Sequence, residues 1–196
     1  GLYHSVLLQS NGQPVACGGN SMGQCDVPEM PPGVRCVAVA ASESHTLVLN
    51  SDGRAHAVGS NFWGQCNIPG LMPTARYVAI AAGCHHSVLL RDDGQALAVG
   101  RKDNNRCIVP PLPSGEVYVA IAAGESHTVL VRSDGQAVAF GCNEDGRCDV
   151  PRLPDGIRYM VAAAGGNHTA LLRSDAQVVA FGNNSSGQCD VPKIER

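Results

Sequence analysis

His127-Thr128-Val129-Leu130-Val131-Arg132-Ser133-Asp134-Gly135-Gln136-Ala137-Val138-Ala139-Phe140-Gly141 is the stretch that decides the fold. It reads as two short apolar strands joined at an Asp-Gly turn, a strong short-range hairpin signal. The chain holds five copies of it. The leading histidines His4, His45, His86, His127 and His168 stand 41 residues apart, and the closing glycines Gly18, Gly59, Gly100, Gly141 and Gly182 keep that step. Cys25, Cys66, Cys107, Cys148 and Cys189 follow in the same register, as do Pro28, Pro69, Pro110, Pro151 and Pro192. Four residue types in one register define a repeat array, in which units stack on one another rather than fold around one centre.

Working outward, an alanine-rich segment precedes each hairpin after the first: Val37-Ala38-Val39-Ala40-Ala41, Val78-Ala79-Ile80-Ala81-Ala82, Val119-Ala120-Ile121-Ala122-Ala123 and Met160-Val161-Ala162-Ala163-Ala164. Four or five residues between Gly and Pro signals are too few for a helix. Alanine is a poor strand former, so strands dense in it make sense where strands crowd together, as around the channel of a propeller. The hairpin strands are apolar on both faces, as in Val129-Leu130-Val131, which predicts sheets sandwiched between neighbours. The turns read Asn11-Gly12, Asp52-Gly53, Asp93-Gly94 and Asp134-Gly135. The fifth copy has Asp175-Ala176, a Cβ where φ is expected to be positive, at a strain of about 1 kcal/mol.

The expected architecture is therefore all-β: a β-propeller of four-stranded antiparallel blades with the Ala-rich strands innermost. Its units run 1–41, 42–82, 83–123, 124–164 and 165–196, in a single repeat domain. Gly1 matches Gly83, Gly124 and Gly165, and Arg196 falls before the Ala-rich strand that would follow the fifth Pro. Five hairpins with only four Ala-rich strands imply either a ring that closes imperfectly or a segment of a longer array, of which the segment is expected.

Composition narrows the function classes. Across 196 residues the net charge is −3 and the isoelectric point about 6.1, which argues against binding nucleic-acid backbones. Twenty-three glycines and twelve prolines suit a turn-dense all-β chain. No apolar run is long enough to cross a bilayer and no charged-then-apolar leader is visible, so no membrane insertion is expected. Of nine cysteines, five occupy one repeat position, a whole unit apart, where the roughly 7 Å limit for bridging Cα atoms is hard to meet. Buried free thiols, and an intracellular compartment, cytoplasmic or nuclear, are expected. Cys17, Cys36, Cys84 and Cys142 lie outside the repeat register.

The unit resembles the regulator-of-chromosome-condensation repeat family. The residues that carry the resemblance are Ala122-Ala123-Gly124-Glu125-Ser126-His127-Thr128, then Asp134-Gly135, Gly141, Asn143 and Gly146. Asn20-Ser21-Met22-Gly23-Gln24 and Asn61-Phe62-Trp63-Gly64-Gln65 fit the family's turn best. The resemblance covers the full chain and implies a β-propeller, in that family usually of seven blades. Val27-Pro28 and Val150-Pro151 are also similar to propeller-type β-lactamase inhibitor proteins. The third copy departs most, with Lys102, Asn105 and Arg106 for the turn's Asn, Gly and Gln. The family's light-sensing branch relies on a tryptophan cluster, and Trp63 stands alone. Neither the basic arm nor the inserted loop of its nucleotide exchange factor is visible.

No catalytic constellation emerges. The five histidines lie at equivalent positions of a ring, too far apart for the three or four ligands within about 2.3 Å that zinc requires, and are expected to satisfy backbone groups between blades. Cys84-His85-His86 is the one local Cys/His cluster, but strand neighbours point to opposite faces, so it is expected to be accidental. Asp26, Asp149 and Asp190 mark turns, and no nucleophile elbow, phosphate loop or dinucleotide fingerprint occurs. No cofactor or metal is expected. Phe62-Trp63 breaks the repeat at a turn filled elsewhere by Ser21-Met22, Asp103-Asn104, Glu144-Asp145 and Ser185-Ser186, and exposed aromatics are typical interface anchors. Leu71-Met72 in the same unit would extend that patch. The expected function is a non-catalytic module presenting variable loops to a protein partner. The alternatives are the regulatory propeller of a larger enzyme such as a HECT-type ubiquitin ligase, an exchange-factor-like propeller, or an enzyme inhibitor.

Overall fold

The turn glycines adopt the backbone that their position demands. In a computed structural model that describes residues 1–192, Gly12, Gly53, Gly94 and Gly135 have φ of 84°, 80°, 78° and 82°, the left-handed conformation a tight hairpin needs. Ala176 takes the same turn at φ 63°, as its place in the repeat predicts. Each turn closes a hairpin: β1 (His4–Leu8) with β2 (Pro14–Gly18), β4 (His45–Asn50) with β5 (Ala55–Gly59), β7 (His86–Arg91) with β8 (Ala96–Gly100), β10 (His127–Arg132) with β11 (Ala137–Gly141), and β13 (His168–Arg173) with β14 (Val178–Gly182). In every hairpin the leading His faces the closing Gly across the ladder.

The Ala-rich segments are strands β3 (Cys36–Ala41), β6 (Tyr77–Ala82), β9 (Tyr118–Ala123) and β12 (Tyr159–Ala164). Each pairs antiparallel with the first strand of the hairpin that follows it. The result is five successive sheets, the first two-stranded and the other four three-stranded. These sheets straddle the unit boundaries read from the sequence, because the Ala-rich strand ending one unit belongs to the next hairpin. The fifth unit's last positions, 193–196 with Arg196, lie outside the described residues.

Neighbouring sheets meet through the Ala-rich strands, β6 against both β3 and β4, β9 against β6 and β7, and β12 against β9 and β10. These strands are innermost, and alanine is what lets their backbones approach. The middle strands β4, β7 and β10 are buried along nearly their whole length, covered by a blade on either side. Each Ala-rich strand carries one unpaired residue at its start, Val37, Val78, Val119 or Met160, where the register slips by one.

Among the described residues, the fourth strand expected in each blade is not part of the ladders. The segment after each closing Gly, 60–76 in the second unit, runs as consecutive turns. Pro69, Pro73 and Gly70 explain why: proline cannot donate to a ladder and glycine weakens one. That segment is instead tied to the core by a buried tyrosine. The hydroxyls of Tyr77, Tyr118 and Tyr159 donate to the carbonyls of Pro69, Pro110 and Pro151, each at 2.9 Å. Cys36 stands where the first full blade would place that tyrosine, and Met30 packs against it.

Candidate functional site

Blade contact rests on a relay that repeats four times. The Nε2 atoms of His4, His45, His86 and His127 lie 2.7, 2.9, 2.9 and 2.8 Å from the hydroxyls of Thr46, Ser87, Thr128 and Thr169 in the next blade. Each hydroxyl donates to a backbone carbonyl of the previous blade's turn: Gln24, Gln65, Arg106 and Arg147 at 2.7–2.8 Å. Having donated its proton there, the hydroxyl accepts from the imidazole. The Nε2 of each histidine therefore carries the hydrogen and Nδ1 is bare. The histidines meet the backbone between blades through that hydroxyl. Desolvation by burial pushes His45 down to about 4, His86 to about 3 and His127 to about 4, so all three are neutral at physiological pH.

The residue at the bend before each His is small for a steric reason. A Cβ on Gly83 or Gly124 would fall 2.2 Å from Cε1 of His86 or His127. Ser42 holds this position in the first full blade and compensates: its hydroxyl meets Nδ1 of His45 at 2.7 Å. The corresponding Nδ1 atoms of His4, His86 and His127 have no hydrogen-bond partner among the described residues.

The turn after each closing Gly is built by its asparagine. Asn20, Asn61, Asn143 and Asn184 accept from the backbone N–H of Cys25, Cys66, Cys148 and Cys189 at 2.8–2.9 Å and donate to Asp26, Asn67, Asp149 and Asp190 at 2.8 Å. The repeated cysteine thiols donate to backbone carbonyls of the same turn, for instance Cys107 to Arg101 at 3.2 Å. They are free, but half-buried rather than buried as expected, since the turn lies at the blade surface. Desolvation still pushes Cys66, Cys107 and Cys148 up to about 11.

The third turn keeps its shape with other residues. Asn105 adopts φ 60° where Gly23, Gly64, Gly146 and Gly187 hold 73–81°. Arg106 fills the buried Gln site and pairs with Asp103 at 3.1 Å. Arg147 does the same in the fourth turn with Asp145, at 2.5 Å.

These turns share one face with the His–Gly ends of the strands, and the second turn carries the aromatic pair. Phe62 is 90% exposed and Trp63 is 49% exposed. The Arg101 guanidinium of the next blade stacks 4.7 Å from the Trp63 ring centroid, and Trp63 borders a shallow concavity with Gly100–Asp103. Arg101 also pairs with Asp103 at 2.9 Å. The backbone N–H of Trp63 is held by buried Gln65 at 2.9 Å, so the turn is rigid while its side chains face solvent.

Leu71 and Met72 lie elsewhere. They line a separate groove with Asp52, Arg54 and His56, at the hairpin-turn end of the same blade. Leu71 packs on Leu49, Tyr77 and Leu89, as Met30, Leu112 and Leu153 do at the equivalent positions of their units. It is half-buried against that core, as repeat spacing alone could have shown. Met72 is 74% exposed where the other units have Pro31, Pro113 and Pro154.

Comparison with known proteins agrees with this geometry. The regulator of chromosome condensation (RCC1) repeat matches at residues 36–65, 118–147 and 162–188, skipping the divergent third turn. No curated protein matches the chain by sequence. Among solved structures, Prp20p from Saccharomyces cerevisiae, described with its binding to Gsp1p and histones, is similar with a TM-score of 0.81 at 22% identity, covering 98% of this chain and 58% of its own. Human WBSCR16 is similar with a TM-score of 0.78 at 20% identity, over 92% of this chain and 59% of its own. The ectodomain of the Physcomitrella patens receptor kinase CR4 gives 0.68 at 19%, over 97% and 52%. The chain thus spans little more than half of these relatives. Repeat motif, blade topology and fold agree: the chain folds as a β-propeller similar to that of RCC1-type proteins, and three of its segments match the RCC1 repeat.

Proposed function

We propose that the chain is a protein-binding module whose anchor is Phe62-Trp63. The observation behind this reading is an almost fully exposed phenylalanine beside a half-exposed tryptophan, on a turn that four other copies build without aromatics. Large rings on a hydrogen-bonded turn lose little conformational freedom on binding, and aromatic residues with arginine dominate interface energetics. Arg101, stacked on Trp63, supplies the arginine. Prp20p binds Gsp1p and histones by its description, which makes protein recognition a use to which this fold is put. The partner sought is a protein with an apolar pocket and an acidic rim that Arg101 can meet. A binding role, rather than a catalytic one, is the reading we favour, whether the chain acts alone, as a regulatory part of a larger enzyme or as an inhibitor.

Nine free thiols favour a reducing compartment, cytoplasmic or nuclear, although the CR4 relative is an ectodomain. Among the described residues no helix is long and apolar enough to cross a membrane.

A photo-crosslinking residue in place of Phe62 tests the surface. It should trap one protein species in much higher yield than the same residue at Ser185, the equivalent position of the fifth unit. Equal trapping at both positions would overturn the assignment.

A further inference from the structure

Cys84 and His85 sit in a bend, not in a strand, so their side chains need not alternate. Both turn toward Glu43 of the preceding blade. The Cys84 thiol lies 2.6 Å from Glu43 Oε2, and 3.5 and 3.8 Å from the two nitrogens of the His85 ring. One donor atom from each of the three residues falls within 4.8 Å of the others, and all three residues are half-buried. His86, the next residue, points into the blade contact and takes no part.

The repeat explains why these groups meet. Glu43 and Cys84 are equivalent positions, 41 residues apart. Far from the axis such positions are separated by a full blade. At the inner ends of the Ala-rich strands the blades converge, and backbone bonds join the bends directly, Cys84 N–H to the Gly124 carbonyl at 3.4 Å and Glu125 N–H to the Gly166 carbonyl at 3.2 Å. Glu43, Cys84 and Glu125 rim one open depression there. The spacing argument that excludes a metal among the five buried histidines does not reach this ring of bends.

We infer that Glu43, Cys84 and His85 form a three-ligand site for a borderline-soft divalent cation of the zinc class, with a fourth position open to the depression. A tetrahedral ion with sulfur at about 2.3 Å and nitrogen at about 2.0 Å sets those ligand atoms about 3.5 Å apart, the separation found between Cys84 and His85. The other thiol–oxygen contacts of the described residues run from 3.2 to 4.0 Å, so the Cys84–Glu43 approach is short for a thiol bond. A small rotation of the glutamate opens the pair to bridge an ion. One thiolate, one carboxylate and one neutral imidazole match a dication in charge and in softness. Binding displaces the thiol proton to solvent and changes no oxidation state.

Cobalt(II) is the probe. In a Cys17→Ser background, which removes the exposed thiol, the protein should bind one equivalent and show a thiolate-to-cobalt charge-transfer band, bleached by zinc. Cys84→Ala should abolish the band, and Glu43→Gln and His85→Ala should each weaken binding by at least ~10-fold. The last two change half-buried side chains outside the strands, so they carry the test even if Cys84→Ala fails to fold. No band at saturating cobalt, a band that survives Cys84→Ala, or one indifferent to both Glu43→Gln and His85→Ala would overturn the site.

Discussion

Acid should unstack the blades, and the relay predicts by how much. His45, His86 and His127 are neutral inside the protein, with proton affinities near 4, 3 and 4, whereas an unfolded chain holds histidine near 6.5. The folded state binds fewer protons than the unfolded one between those values. Stability is therefore complete above about pH 6.5 and is lost as pH falls toward 4. At pH 5 an unfolded histidine is almost fully protonated and a buried one almost bare, a difference of about 2 kcal/mol each. Three such groups sum to on the order of 6 kcal/mol, much of the 5–15 kcal/mol that holds a typical domain. The assay is urea unfolding from pH 8 to pH 5, followed by circular dichroism. His45→Gln keeps a donor for Ser87 but cannot titrate, so it should remove about a third of the pH dependence. An unfolding midpoint that is the same at pH 8 and pH 5, or a slope unaltered by His45→Gln, would refute the neutral relay.

Two further substitutions test the structure locally. Thr128→Val keeps the shape but leaves the His86 Nε2 hydrogen and the Arg106 carbonyl buried without their partner, which should cost about 2–4 kcal/mol in urea unfolding at neutral pH. A loss below half of that would mean that the hydroxyl is dispensable. Ala176→Gly relieves the positive φ of the fifth turn and should raise stability by about 0.5 kcal/mol, where the same change at an ordinary strand position lowers it.

Much of the fold was legible because each unit repeats its own constraints. The Asp-Gly turns set the hairpins, and the alanine runs marked the strands that crowd the axis. The blade width was not legible: an approximately 40-residue period implies four strands per blade, but proline's missing N–H in the segment after each turn argues for the turns it forms. The relay left a signal that the histidines alone did not show, a Thr or Ser directly after each of the five repeated His residues. Leu71 looked special only while it was compared within its own unit; Met30, Leu112 and Leu153 at the equivalent positions pack against their cores in the same way. Glu43 and Cys84 were invisible as a pair because separation by one unit implies distance everywhere except at the axis.

Phe62 and Trp63 were singled out by departing from the repeat, and the claim that they face a partner is open to one direct measurement. Phe62→Ser with Trp63→Ser converts the turn to the Ser185-Ser186 pair that the fifth unit already folds with. Melting temperature and affinity for the protein trapped at position 62 are measured on the same preparation. A binding anchor predicts an unchanged melting temperature and a loss of about 2 kcal/mol or more in affinity, roughly 30-fold. A melting temperature lowered by many degrees with affinity intact would show that the rings serve the fold, and would contradict the account.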